Sequence, residues 1–325
     1  MANDSKCLRK LESMREEVDL EIETERYKFF CRLYALVKDW RGQLPDLREI
    51  FRREEIEWLL TEDLKINENR QTKMRSGLFI KFVIKTGYKD VPDLDENGRP
   101  LLRRTTPLLC VNQLRIDPLS CHPDVQDLFK IYDRYDLNYI GEMDYTHFHV
   151  ACEYGCYDVV EKFLELGQDP SCLSTHPWYP TPLHCALSRG KYDSDGCMIG
   201  YKIVADLLLK HGANPNVANR LIQETPLHMM CQNRFEDKSA KFMRIFFEIN
   251  DANNQKVDIN ARDMSGKTPL HLAMEHLWGA EVGKFLLKRG ADPDLVDNNG
   301  STPLIEFCRH HDDYDLAKLL FEIAD

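Results

Sequence analysis

The sequence predicts an all-helical array of stacked repeats, and three observations predict it. A threonine-led motif recurs at Thr106, Thr146, Thr181, Thr225, Thr268 and Thr302, at separations of 40, 35, 44, 43 and 34 residues. Short apolar patterns at helical spacing follow the motif. The second of these often closes on Gly-Ala-Asn or Gly-Ala-Asp, as at Gly290-Ala291-Asp292. A unit of turn and two short helices cannot bury its apolar faces alone, so a period of this size implies a solenoid in which neighbours cover one another.

The chain opens on apolar residues Met14, Val18, Ile22, Phe29, Leu33, Leu36 and Trp40, with Glu25 as the one polar interruption. Steps of three and four predict one amphipathic helix. Gly42 and Pro45 break it. Asp46 with Glu49 then gives an N-cap signature for a second helix through Ile50, Phe51, Trp58 and Leu59, and the polar stretch 61–76 reads as a loop. Leu78 to Gly87 reads as the second helix of a degenerate repeat, with Asp95 and Gly98 as turn residues and Pro100 to Thr105 as an insertion. The expected organisation is a helical extension over 1–75, a cryptic half-repeat over 76–104 and repeats over 105–325.

The most regular copy runs from Asp263 to Asp294. Thr268 is placed to cap its first helix, Pro269 sits at a first-turn position whose N–H has no partner to lose, and Gly290 can take the left-handed conformation that ends a helix. The other copies read Thr146-His147-Phe148-His149, Thr181-Pro182-Leu183-His184, Thr225-Pro226-Leu227-His228 and Thr302-Pro303-Leu304-Ile305. These motifs resemble those of the ankyrin-repeat family. The resemblance implies an ankyrin solenoid of six repeats from Thr106, capped by the N-terminal helices. The copy from Thr106 is degenerate, with Leu109 in place of histidine and extra residues around Asp117 to Pro123. Further insertions fall at Tyr192 to Gly200 and Asp251 to Lys256. The stop at Asp325 reads as a short end or as part of something longer.

The resemblance also implies a protein partner held along turn tips and first helices. Carried over by position, the first-helix face is Glu153, Tyr154, Ser188, Arg189, Gln232, Asn233, Glu275, His276, Arg309 and His310. The tips are Trp178, Tyr179, Leu221, Ile222, Met264, Lys267, Asn298 and Asn299. On this expectation Tyr154, Trp178 and Tyr179 are exposed aromatic anchors.

Composition narrows the classes of function. With 43 basic and 54 acidic residues the net charge is −11, which disfavours nucleic acid and anionic membrane as partners. No apolar run approaches the roughly 18 residues of a membrane span, and eleven scattered cysteines fit reduced thiols better than a disulfide framework. The expectation is a monomeric protein of the cytoplasm or nucleus. His149, His184, His228 and His271 repeat once per unit and are expected to brace turns. Cys152, Cys231 and Cys308 read as small core residues, and with His149 and Cys156 no fourth zinc ligand follows. Residues 129–148 imitate a calcium loop, but Tyr135 and Leu137 stand where oxygen ligands belong and Asn138 replaces the turn glycine. No catalytic motif stands in a supporting context, so no enzyme, cofactor or metal is expected. A second reading takes Leu44-Pro45 with Ile50-Phe51, faintly like the opening of an F-box, and makes the chain a ubiquitin-ligase substrate adaptor whose N-terminal helices recruit the ligase core.

Overall fold

The structure, a computed structural model, describes residues 6–66, 77–111, 124–188, 198–232, 238–275 and 279–310. These fold as two compact units, Met1–Glu142 and Met143–Asp325. Among the described residues the only strand-like pairings are two isolated bridges, Leu94 with Pro100 and Arg103 with Ile140.

The first unit contains α1 (Lys6–Glu16), α2 (Glu23–Lys38), α3 (Leu47–Ile50), α4 (Arg53–Lys65), α5 (Leu78–Lys85) and α6 (Pro107–Cys110), with a further short helix over residues 124–128. The single long N-terminal helix expected from apolar spacing is two helices. Asp19 breaks it, its carboxylate accepting from the Glu21 N–H at 2.9 Å and so stabilising a turn that competes with the helix. Ile22 is exposed in consequence. Of the expected loop over 61–76, residues 61–65 are helical, because α4 runs to Lys65, and 67–76 lie outside the described residues. Helix α5 is apolar nearly all round because α2 and α4 both pack on it. Phe29 meets Phe51 edge-on at 6.1 Å, and Trp40 tilts against Phe82 at 4.9 Å. Half-buried Arg104 joins Asp90 at 2.6 Å and Glu57 at 3.2 Å and lies 4.6 Å over the Tyr139 ring, linking α4 to the segment before α6. Leu109, standing where other copies carry histidine, packs against Gly141, where a methyl group would come within 3.1 Å of its side chain.

The second unit is the solenoid. Its helices are α7 (His147–Glu153), α8 (Tyr157–Glu165), α9 (Pro182–Ser188), α10 (Met198–Lys210), α11 (Pro226–Cys231), α12 (Lys238–Ala252), α13 (Pro269–Met274), α14 (Gly279–Lys288) and α15 (Pro303–His310). The first helices α7, α9, α11, α13 and α15 stack in one layer, and the second helices α8, α10, α12 and α14 in another. Each second helix ends in a left-handed residue. At Gly290 φ is 90° and the next N–H, of Ala291, bonds back to Leu286 at 3.0 Å, the closure that lets the chain turn. After α12 the same role falls to Asn254, the side chain that best tolerates this conformation after glycine.

The acidic and amide residues after those stops also have a local cause. Asp169, Asn214, Asp258 and Asp292 each accept the N–H two residues on, forming Asx turns. Neighbouring loops then stitch together: Asn216 Nδ2 donates to the Lys256 carbonyl at 2.7 Å, and Asn260 Oδ1 accepts from the Asp292 N–H at 3.0 Å. Buried apolar residues between the layers include Phe148, Phe163, Leu183, Val204, Leu208, Leu227, Phe246, Leu270 and Leu286. Of the three cysteines expected in the core, Cys152 and Cys231 are buried, whereas Cys308 near the end of α15 is exposed.

Candidate protein-binding surface

Before Thr181, Thr225, Thr268 and Thr302 the chain makes a finger closed by one backbone hydrogen bond. The N–H groups of Ser174, Asn219, Asp263 and Asp297 donate to the carbonyls of Pro180, Glu224, Lys267 and Ser301, at 2.8, 2.7, 2.9 and 2.9 Å. The acceptor in every case is the residue just before the threonine. Fingers also bond to their predecessors: Thr175 N–H to the Met143 carbonyl at 2.6 Å, Met264 N–H to Ile222 at 2.8 Å, and Asn298 N–H to Ser265 at 2.9 Å.

The same carbonyls carry a second bond, supplied by the histidines. His184 Nε2 faces the Glu224 carbonyl at 3.4 Å, His228 Nε2 that of Lys267 at 3.1 Å, and His271 Nε2 that of Ser301 at 3.0 Å. A carbonyl can only accept, so Nε2 carries the proton and Nδ1 is left to accept from threonine. Nδ1 of His149, His184, His228 and His271 lies 2.7–2.9 Å from the threonine hydroxyl three residues earlier. Burial holds these rings neutral, pushing His149 and His184 down to about 4 and lowering His228 and His271. The histidines therefore pin each finger base to the repeat before it.

The side chain before the threonine makes a third connection, to the end of its own first helix eight residues on. Tyr145 donates to Glu153 at 2.6 Å, Gln232 donates to Glu224, and Lys267 pairs with Glu275. These struts correct part of the expected binding face. Glu153 is buried and spent on Tyr145, while Gln232, Glu275 and Lys267 are half-buried and held within their repeats. Tyr154, expected to be an exposed aromatic, has no exposed surface. Gly155 takes the left-handed conformation at φ 62° and Cys156 N–H bonds back to Ala151 at 2.9 Å, so the chain reverses at once and encloses the ring.

The tips behave differently. Met143 is 53% exposed, Trp178 45%, Leu221 42% and Met264 59%, one large apolar side chain on each of four consecutive fingers. Finger 174–180 is built to hold Trp178 out. His176 stacks on Tyr179 at 5.2 Å with their planes 7° apart, Tyr179 N–H donates to His176 Nδ1 at 3.2 Å, and Ser174 Oγ donates to the Tyr179 carbonyl at 3.1 Å. Tyr179 is half-buried by this stacking, and so is Ile222 beside Leu221. Asn298 is exposed with its amide on the Met264 carbonyl at 3.0 Å, Asn299 is exposed, and Arg309 is exposed but paired with Glu306 at 2.7 Å. Arg189, Asn233 and His276 lie outside the described residues, as do the side chains of Ser188 and His310. Met143 was missed because no proline marks its repeat, yet it stands three residues before Thr146 as Trp178 does before Thr181. Among the described residues no group of His, Cys, Asp and Glu side chains could hold a metal ion.

Comparison with known families matches the model "Ankyrin repeats (3 copies)" to residues 148–234 and 196–297. Residues 148–297 are ankyrin repeats. Relatives of these repeats occur in otherwise different proteins. Human transient receptor potential cation channel subfamily A member 1 is 27% identical over 171 residues, 52% of this chain and 13% of that protein. The probable 26S proteasome regulatory subunit p28 of Saccharomyces cerevisiae is 26% identical over 164 residues, 50% of this chain and 63% of that protein. Mouse Rabankyrin-5 is 33% identical over 110 residues, 34% of this chain and 9% of that protein. The chain thus spans less than two thirds of each of these relatives. Among the described residues no helix is long and apolar enough to cross a membrane.

Proposed function

We propose that this chain is a protein-binding scaffold without catalytic activity, as ankyrin repeats generally are, and that it grips its partner through the finger tips of the second unit. The observation that carries this is the exposed apolar row Met143, Trp178, Leu221 and Met264. Exposed large apolar residues on successive finger tips mark a surface kept for association, and tryptophan leads among interface anchors. Of the first-helix residues, Glu153, Gln232, Glu275 and Arg309 contribute less, since their polar groups already have partners inside the repeat. The nine described cysteines are free thiols, which supports a reducing compartment such as cytoplasm or nucleus.

The ligase-adaptor reading has less support. Of the residues behind it, Pro45 and Phe51 are buried in the first unit's own core and Ile50 is half-buried.

The test is capture by the full chain. A partner identified by proximity labelling should bind the unaltered protein, and Trp178→Ala or Leu221→Asp should weaken binding about tenfold or more, in the range of interface anchors. The melting temperature should stay nearly unchanged. Undiminished binding by both variants would overturn the finger-tip assignment.

A further inference from the structure

The first unit carries a cavity of 330 Å³ lined by Leu20, Glu21, Arg26, Arg52, Glu54, Glu55 and Trp58. Its charges are unevenly matched. The three lining carboxylates already have cationic partners: Glu55 holds Arg15 at 2.5 Å and Arg52 at 2.9 Å, Glu54 holds Arg53 at 3.1 Å, and Glu21 reaches Arg52 at 3.4 Å. Among the described residues no carboxylate lies within salt-bridge distance of Arg26. One arm donates to the Glu21 carbonyl at 3.3 Å, while its buried Nε bonds to nothing. Its guanidinium lies 5.8 Å over the Trp58 ring, which Phe30 also meets edge-on at 6.3 Å. A half-buried indole thus forms one wall, buried Leu20 adds apolar surface, and a guanidinium with unspent donors stands beside them.

We propose that this cavity is a second binding site, one that takes a carboxylate of a partner peptide on Arg26 with an adjacent aromatic ring packed against Trp58 and Leu20. Guanidinium is the side chain best suited to a carboxylate, because its fixed N–H fork matches the two oxygens. The negative charge it lacks is the one the other arginines already have. The volume is that of a small ligand site and suits one anchoring side chain and its neighbour. Neither Arg26 nor Trp58 belongs to the finger row, so the two assignments stand or fall separately.

Blocked peptides containing Gly-Phe-Glu-Gly, the same peptide with Gln for Glu, and a peptide ending in a free Phe carboxylate are titrated into the full chain. The readout is the indole N–H resonance of Trp58, assigned by its loss in Trp58→Phe among the signals of the four tryptophans. The expected result is a saturable shift with the Glu peptide or the free carboxylate, whichever source the site accepts, and at least about tenfold weaker binding of the Gln peptide. Arg26→Gln should abolish the difference while the other indole signals stay in place as a check on the fold. Should that variant not fold, Arg26→Lys keeps a charge without the fork and should retain only part of the preference. Equal binding of Glu and Gln peptides, or no shift with any peptide at millimolar concentration, would overturn the site.

Discussion

The Tyr145 hydroxyl lies 2.6 Å from the Glu153 carboxylate, both inside the protein. The base of one finger is thereby tied to the end of the helix behind it, and a residue that position alone marks as a partner contact is spent inside its own repeat. Tyr145→Phe removes one bond from a buried carboxylate and should cost about 1–3 kcal/mol in urea unfolding. Partner binding should stay unchanged.

The Lys267–Glu275 strut can be tested by reversal. Lys267→Glu places two carboxylates together and should destabilise the protein by roughly 1 kcal/mol, as expected of a partly exposed pair. Adding Glu275→Lys should recover most of the loss, and a double-mutant cycle measures the recovery.

Tyr154 and Trp178 should separate folding from binding. Tyr154→Ala empties a fully buried site and should cost about 3–5 kcal/mol. Trp178→Ala should leave the melting temperature within a degree or two while binding falls.

Two glycines with the same backbone angle should respond unequally. Gly266 and Gly300 have φ of 74° and 76°, but a methyl group on Gly266 would meet the Asn298 side chain at 2.4 Å and its backbone nitrogen at 2.9 Å, whereas one on Gly300 meets nothing. Gly300→Ala should show only the strain of the left-handed conformation, about 1 kcal/mol. Gly266→Ala should lose more and weaken the bond from Asn298 to Ser265, read by amide exchange.

Acid should act on the two units in opposite directions. An unfolded histidine takes its proton near 6.5, whereas buried His149 and His184 resist until about 4. The unfolded state binds protons first, so the second unit loses stability as pH falls from 6.5 towards 4, by up to about 3 kcal/mol for each ring. In the first unit burial raises Glu57 and Asp63 to about 7, from ordinary values of 4.5 and 3.8. There the folded state binds protons first, and that unit gains stability as pH falls below 7. Exchange of amides in 56–64 and in 148–152 should diverge between pH 7 and 5.

The sequence made the repeat fold legible because its signals are local. Thr268, Pro269 and Gly290 act within one turn of themselves, so spacing suffices to place them. The N-terminal helix boundary was less legible, since Asp19 breaks a good apolar period with one side-chain hydrogen bond that periodicity does not weigh. The binding face was read least well. Exposure of Tyr154 depends on how tightly Gly155 folds the chain back, and the availability of Glu153 depends on a partner eight residues away. A clue to the second was present: Tyr145 with Glu153, Glu224 with Gln232 and Lys267 with Glu275 are complementary pairs at one spacing.

The histidine bonds all run the same way, each from one repeat to the carbonyl of the next, and in the last described motif Ile305 has nothing to donate. The seam is therefore polarised, like a row of hands each gripping the shoulder ahead. Loss of His184 should loosen the finger at 219–224 and spare the one at 174–180, so damage to this array should spread towards the C-terminal side rather than evenly in both directions.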